Sequence, residues 1–111
     1  MAKELIMYAR QNPCPFVMTA RRVLTELGVN YQEVSIDADE AARLRVLAWT
    51  GFLSVPTLVV AEAGEALPYE APLPIPPGKS PRGINRGVMI TEPNADELKM
   101  WLRQHGFVAG V

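Results

Sequence analysis

The sequence has 111 residues, of which 49% are apolar and 21% are charged, so we expect one packed domain over residues 1–111 rather than a disordered chain. Its 11 lysine and arginine residues nearly balance 12 aspartate and glutamate residues, which gives no electrostatic reason to expect binding to nucleic acid or to a membrane surface. No apolar run approaches the ~20 residues of a membrane span, and the first residues lack the long apolar core of a secretory signal.

The chain opens with a strand pattern followed by a helix pattern. Residues 5–9 form an apolar run of strand length. Pro15 suits the first turn of a helix, where its missing N–H group would have no partner in any case. Apolar residues then recur at helical spacing from Val17 to Leu27, and Gly28 has the position of a C-terminal cap. We therefore predict a strand, a short loop and a helix.

A second strand and a second helix follow. Residues 31–36 alternate between apolar and polar side chains, which predicts a strand. Asp37 or Asp39 then caps a helix over roughly residues 39–50. Because strand-helix-strand crossovers are right-handed and connect parallel strands, the first two strands are predicted to pair in parallel.

The third strand leads into a proline-rich loop. Residues 57–61 are apolar and form the strand, and the Val55–Pro56 bond just before it is a candidate for the cis form. Six of the ten prolines lie between residues 68 and 81, so residues 62–87 are predicted to be an extended, semi-rigid loop.

The chain ends with one more strand and one more helix. Residues 87–91 form a short apolar strand, which could pair in antiparallel fashion with the strand before the loop. Asn94 is the predicted cap of the last helix, and Gly106 is its predicted end.

Two short motifs accompany this order of elements. Residues 14–17 read Cys-Pro-Phe-Val, and residues 54–57 read Ser-Val-Pro-Thr. They resemble the Cys-Pro-Tyr-Cys and Thr-Val-Pro-x motifs of the glutaredoxin group within the thioredoxin fold. Residues 90–98 are also similar to the Asn-Pro-Ser-Ala-x-x-Leu segment of actinobacterial mycoredoxins and related ribonucleotide-reductase electron donors.

The resemblance implies one glutaredoxin-like domain over residues 1–111. Its fold class would be α/β, a thioredoxin-like β-α-β-α-β-β-α arrangement with a four-stranded mixed sheet. Residues 62–87 fall outside the resemblance and would be a proline-rich insertion between the last two strands.

The same resemblance implies that Cys14 is the catalytic nucleophile. Its thiolate would attack mixed disulfides between a protein and a low-molecular-weight thiol, such as glutathione, mycothiol or bacillithiol, as co-substrate. A helix N-terminus favours the thiolate form of a cysteine, because its N–H groups and dipole stabilise negative charge. Val17 stands where the second cysteine of the motif would be, so the exchange would be monothiol.

Substrate-binding residues also follow from the resemblance. The Val55 backbone beside Pro56 would pair with the cysteinyl part of the small thiol, and Arg10 would meet one of its charged ends. The first turn of the last helix would hold the other end, since helix N-termini bind carboxylates. The implied binding residues are Arg10, Pro15, Phe16, Val55, Pro56, Asn94, Ala95 and Asp96.

Further expectations concern cofactors, partners and location. The sequence shows no His/Cys/Asp cluster suited to a transition metal, so we expect no bound metal or other cofactor. We expect a monomer that acts on protein mixed disulfides. A single cysteine cannot form an internal disulfide, which is consistent with a reducing compartment, and we therefore expect the cytoplasm.

Three alternatives stay open at this level. The protein could be a catalytically silent binding module that uses the proline-rich loop to hold a protein partner. It could share an iron–sulfur cluster in a dimer through Cys14, although such proteins usually carry glycine where Pro15 stands. It could also be the N-terminal half of a glutathione-transferase-like protein, since Cys-Pro-Phe and Val-Pro-Thr-Leu motifs occur there.

Overall fold

The protein folds as three helices and a four-stranded sheet within residues 3–12 and 14–108, the part of the chain that the computed structural model describes. In chain order the elements are β1 (Lys3–Ala9), α1 (Pro15–Glu26), β2 (Gln32–Ser35), α2 (Glu40–Thr50), β3 (Thr57–Glu62), β4 (Met89–Thr91) and α3 (Ala95–Gln104). The predicted order of strands and helices is confirmed. No helix in the described ranges is long and apolar enough to cross a membrane.

The sheet is mixed and has the strand order β2-β1-β3-β4. Strands β1 and β2 pair in parallel, as the crossover rule predicts, with Tyr8 opposite Val34. Strand β3 pairs with β1 and with β4 in antiparallel fashion, and Leu58 lies between Met7 and Ile90. The two central strands are buried, which explains why their sequences are continuous apolar runs rather than alternating patterns.

Helices α1 and α3 contact each other, whereas α2 contacts β2. The buried residues of α1 and α3 are Val17, Ala20, Val23, Leu24, Leu98, Trp101 and Leu102. Leu27 differs from its predicted place in the apolar stripe and is 40% exposed, because α1 ends at Glu26 and Leu27 is its C-cap.

Two helix caps are built as the sequence predicts. Of the two aspartates considered, Asp39 caps α2, since its carboxylate accepts a hydrogen bond from the backbone N–H of Ala42 at 3.1 Å. Asn94 caps α3 and forms a reciprocal capping box with Glu97. Both caps satisfy N–H groups that have no partner inside the helix, and they fix where each helix begins.

The proline-rich segment, residues 63–88 between β3 and β4, contains no helix and no strand. Backbone hydrogen bonds nevertheless tie it to the sheet. The N–H of Tyr69 donates to the carbonyl of Val60 at 3.1 Å, and the N–H of Gly83 donates to the carbonyl of Thr91 at 2.7 Å. The predicted strand over residues 87–91 begins only at Met89, because Gly87 has φ +75° and leaves the extended conformation.

Arg86 holds the proline-rich segment from inside the fold. Its side chain is buried, and it donates to the carbonyls of Leu73 and Trp49, each at 2.6 Å. Trp49 lies in the last turn of α2, where carbonyl groups lack helical partners and the dipole favours a cation. Burial lowers the pKa of the Arg86 guanidinium. The loop is therefore clamped to the end of α2 by one buried side chain.

Candidate active site

Cys14 lies at the strand-to-helix position that the sequence indicates. It is the N-cap of α1 and has extended backbone angles, with φ −82° and ψ 170°, and Pro15 begins the helix. The side chain is half-buried, and its Sγ donates to the carbonyl of Val55 at 3.6 Å. The thiol is therefore held between the start of α1 and the peptide that leads into β3.

The Val55–Pro56 peptide bond is cis, and both residues are buried. The carbonyl of Pro56 accepts from the backbone N–H of Glu92 at 2.8 Å. The hydroxyls of Thr57 and Thr91 lie 3.0 Å apart in a hydrogen bond between β3 and β4. The peptide that faces the thiol is therefore fixed through contacts with the neighbouring strand as well as through its own chain.

A cleft of about 640 Å³ opens beside the thiol. This volume is in the range of small-molecule sites. The cleft is lined by Arg10, Asn12, Cys14, Phe52, Leu53, Ser54, Val55, Ser80, Arg82 and Glu92. Apart from the thiol, its ionisable side chains are those of two arginines and one glutamate. The lining of the cleft therefore carries one net positive charge.

Arg10 lies in this cleft, where the sequence resemblance placed a basic residue. Its side chain is half-buried, and its Nη2 donates to the carbonyl of Leu53 at 3.3 Å. Because a carbonyl is a neutral acceptor, this bond orients Arg10 without neutralising its charge. The neighbouring residue Gln11 is tied down separately, since its backbone N–H donates to the carboxylate of Asp37 at 3.0 Å.

Arg82 reaches the cleft from the proline-rich segment. Its Nε and Nη2 lie 3.0 and 2.9 Å from the same oxygen of Glu92, Oε2. The guanidinium carbon lies 5.0 Å from the centre of the Phe16 ring, the distance of a cation–π contact. Phe16 therefore has a defined contact at the site. The family motif that the sequence resembles has a tyrosine at this position, whose hydroxyl Phe16 lacks.

Glu92 has an unusual backbone, with φ +46°. This left-handed conformation is uncommon for a residue with a side chain, and such residues concentrate at functional sites. Glu92 begins the turn from β4 toward α3, and its side chain is 14% exposed. The sequence position gives no sign of this geometry, since charged residues are mostly part of the solvated surface.

The remaining predicted binding residues have different surroundings. Pro15 is exposed at the first position of α1. Asn94, Ala95 and Asp96 begin α3 as predicted but are not among the residues that line the cleft. The Asn94 side chain is instead occupied by its cap, accepting from the N–H of Glu97 at 2.8 Å. Arg82 and Glu92 line the same cleft as Cys14.

Sequence reasoning missed five polar residues of the cleft: Asn12, Ser54, Ser80, Arg82 and Glu92. Asn12 could have been included, because it lies in the loop that contains Cys14. Ser80 and Arg82 are more than sixty residues from Cys14 in the sequence and lie in the proline-rich segment, which has no periodicity. Only their position just before β4, which pairs with β3, offered a signal that they return to this end of the sheet.

A second cleft, of about 470 Å³, lies between the start of β1 and the turn after α1. Its ionisable side chains are Lys3, Glu4 and Tyr31. It contains no thiol, since Cys14 is the only cysteine of the sequence. Within residues 3–12 and 14–108, no group of three or more His, Cys, Asp or Glu side chains is arranged to hold a metal ion. The thiol cleft is therefore the stronger candidate for chemistry.

Comparison with known proteins identifies one family. The family model for glutaredoxin matches residues 5–63, more than half of the chain. A search of curated proteins finds no match. Among solved structures, a variant of a thioredoxin-like protein is 29% identical with a TM-score of 0.45, covering 56% of this chain and 88% of that one. The holo form of glutaredoxin C1 from Populus tremula x tremuloides is 14% identical with a TM-score of 0.46, covering 93% of this chain and 76% of that one.

Proposed function

This chain belongs to the glutaredoxin family and therefore has a general role in thiol–disulfide redox chemistry, and from that premise we propose that it catalyses monothiol exchange through Cys14. The observation that carries the proposal is the placement of the single cysteine of the sequence at the N-cap of α1, inside a cleft of small-molecule size. Val17, at the position of a second motif cysteine, is fully buried in the core. One chain thus offers one thiol for exchange.

The proposed reaction has two displacements on sulfur. The Cys14 thiolate attacks the small-thiol sulfur of a protein mixed disulfide, forming a Cys14–small-thiol disulfide and releasing the protein thiolate, which takes up a proton. The thiolate of a second small-thiol molecule then attacks the small-thiol sulfur bound to Cys14. It forms the small-thiol disulfide and returns Cys14 to the thiolate. The net change converts one mixed disulfide and one small thiol into one protein thiol and one symmetrical disulfide.

The surroundings of the thiol support both displacements. As a thiol, Cys14 donates to the Val55 carbonyl. As a thiolate it loses this donor, and the first-turn N–H groups of α1 and the helix dipole are the stabilising groups available to it. The Val55 backbone is the proposed contact for the cysteinyl part of the small thiol, and Arg10 is the proposed contact for a charged end.

The proposed setting is a monomer that acts in the cytoplasm on protein mixed disulfides, with glutathione, mycothiol or a similar thiol as co-substrate and no bound cofactor. The single cysteine supports a reducing compartment, and the near-neutral charge gives no reason to invoke nucleic acid or a membrane surface. Asn94, the N-cap of the last helix, and its first two residues, Ala95 and Asp96, stay proposed contacts for the far end of a bound thiol.

The test is turnover of a glutathionylated peptide with glutathione as reductant, repeated with the corresponding mycothiol pair. We expect turnover by the wild type with at least one pair and none by Cys14→Ser. Mass spectrometry of a single-turnover sample should show one small-thiol adduct, on Cys14. Because the chain has one cysteine, alkylation of the wild type reports that thiol without background from others.

A different result would overturn the enzyme proposal. If no pair is turned over and Cys14 alkylates at the rate of an ordinary peptide cysteine, the catalytically silent binding module becomes the better account. Turnover that survives Cys14→Ser, with a circular dichroism spectrum like that of the wild type, would place the chemistry elsewhere.

A further inference from the structure

We propose that Arg82, supplied by the proline-rich segment, binds the anionic group of the small thiol and gives the Cys14 cleft a preference for anionic over neutral thiols. This inference rests on the proposed exchange at Cys14 and specifies its substrate class. Arg82 would be a specificity-determining residue, because its role is to bind the part of the substrate that does not react.

The backbone on both sides of Arg82 is fixed against β4. Pro81 is buried, and Arg82 forms an isolated bridge with Thr91. Gly83 donates its N–H to the Thr91 carbonyl at 2.7 Å and has φ +73°, a conformation suited to glycine. The proline-rich segment thus presents the Arg82 side chain at a fixed point of the cleft rather than from a free loop.

The guanidinium is also oriented before any ligand arrives. Its Nε and Nη2 both contact Oε2 of Glu92, and its central carbon lies 5.0 Å from the centre of the Phe16 ring. Neither contact with Glu92 uses Nη1, and a guanidinium carries N–H donors on all three nitrogens. The Arg82 side chain is 61% exposed whereas that of Glu92 is 14% exposed, so the arginine is the outer partner of the pair. A donor held in place in this way loses less entropy when it binds an anion.

The charges of the cleft point in the same direction. Two guanidinium groups, of Arg10 and Arg82, face one carboxylate, that of Glu92. An anionic group entering the cleft therefore meets a net positive wall, and a neutral group of the same size gains no such attraction. Because Arg82 is largely exposed, we expect a preference of about three- to tenfold rather than a larger one.

The experiment compares two matched probes. One peptide thiol is joined by a disulfide either to mercaptoethanol, which is neutral, or to mercaptoethanesulfonate, which carries an anion on a carbon chain of the same length. The rate constant for peptide release by Cys14 is measured in a single turnover. Each value is divided by the rate constant for free mercaptoethanol acting on the same probe, which removes differences in intrinsic reactivity.

We expect the wild type to favour the sulfonate probe by about three- to tenfold and Arg82→Gln to lose most of that preference. The rate with the neutral probe should fall by less than the rate with the sulfonate probe. Arg103→Gln is the matched control, because Arg103 is exposed on α3 and the substitution removes the same charge outside the cleft. Arg82→Lys should retain part of the preference, and higher ionic strength should narrow it.

The outcomes separate the two proposals. If Arg82→Gln slows both probes equally, or keeps the wild-type preference, Arg82 does not select the thiol, although the exchange itself stands. The same conclusion follows if Arg103→Gln lowers the preference as much as Arg82→Gln. If the wild type reacts with neither probe faster than a free thiol does, the role of Arg82 is wrong, and the exchange at Cys14 is wrong as well if the glutathione and mycothiol pairs also show no turnover.

Discussion

The two walls of the Cys14 cleft are held in place by different forces. Arg10, Cys14 and Val55 lie at the ends of elements whose apolar faces are buried in the core. Arg82 lies instead on the proline-rich segment, residues 63–88, which has exposed apolar side chains such as that of Leu73 and is tied down by hydrogen bonds. The position of the thiol thus depends on packing, whereas the proposed selection of thiols depends on a few polar anchors.

Because of this difference, the wall formed by the proline-rich segment, here called the second wall, can change while the thiol stays in place. Residues 5–9 of β1 and all of β3 belong to the part of the chain matched by the glutaredoxin family, whereas most of the proline-rich segment does not. If the two walls are held in these different ways, the hydrogen-bonding residues that fix the proline-rich segment can be tested by substitution. Such substitutions should change the stability of the protein and its preference among thiols more than they change the rate of exchange with a neutral thiol.

The largest effect is expected from Arg86→Met, which removes the clamp between the proline-rich segment and α2. The carbonyls of Leu73 and Trp49 would lose their buried donor, so we expect the free energy of unfolding to fall by about 2–4 kcal/mol. Urea denaturation measures the loss. The preference for the sulfonate probe should fall as well, because Arg82 is no longer held, while the folded variant should still react with the neutral probe.

Arg22→Met is the control for this substitution. Arg22 is exposed and pairs with Glu26 one turn along α1, so its loss should cost about 0.5 kcal/mol or less. The proposed difference between the two walls would be wrong if Arg86→Met lowered the free energy of unfolding no more than the control does. It would also be wrong if Arg86→Met abolished neutral exchange while the sheet and helices stayed folded.

An intermediate effect is expected from Gly83→Ala. A Cβ at this position would lie 2.8 Å from Oε2 of Glu97, and the residue would have to keep φ +73°. Glu97 cannot easily move, because its other carboxylate oxygen accepts the Asn94 N–H at 2.7 Å in the cap of α3. We expect a loss of about 1–3 kcal/mol in the free energy of unfolding, measured by urea denaturation.

Gly64→Ala is the control for Gly83→Ala. It distinguishes the cost of the close contact with Glu97 from the cost of placing a side chain at positive φ. Gly64 also has positive φ, at +86°, but a Cβ there would meet no atom within 4 Å. The strain is common to both substitutions, so the excess loss for Gly83→Ala reports the contact with Glu97. Equal losses in the free energy of unfolding for the two variants would mean that the proline-rich segment is not tightly packed against α3 at Gly83.

The same division explains what the sequence could and could not predict. The strands, α1 and the caps Asp39 and Asn94 follow local rules, because periodicity and capping residues act within a few positions of the chain. The thiol at the start of α1 was found for the same reason. Local signals also predicted that residues 62–87 form a loop.

The second wall has no comparable local signal. Arg82 meets Glu92 and Phe16 only after the proline-rich segment has folded back onto β4, and no period in the loop encodes that path. Arg86 could not be recognised as buried, since arginines are mostly exposed, and its partners are carbonyl oxygens that any residue could provide. Long-range polar contacts therefore account for most of what sequence reasoning missed at this site.

The smallest effect, and the sharpest test of a single anchor, is expected from Tyr8→Phe. The buried Tyr8 hydroxyl donates to the carbonyl of Ala66 at 2.8 Å and ties β1 to the start of the proline-rich segment. Its loss should lower the free energy of unfolding by about 1 kcal/mol at neutral pH.

The pH dependence of this stability difference tests the burial of the Tyr8 hydroxyl. Burial raises the pKa of Tyr8 from its ordinary value of 10.0, whereas in the unfolded chain the phenol ionises near that value. The hydroxyl thus contributes fully below pH 10 and loses its contribution as the pH rises through the folded-state pKa. Urea denaturation at pH 8 and at about pH 11 should therefore show the gap between wild type and Tyr8→Phe shrinking at the higher pH. Tyr31, whose pKa burial also raises, is present in both proteins and cancels in the comparison. A gap that stays constant would mean that the phenol ionises alike in the folded and unfolded chain and that burial does not hold the Tyr8 hydroxyl in its neutral form.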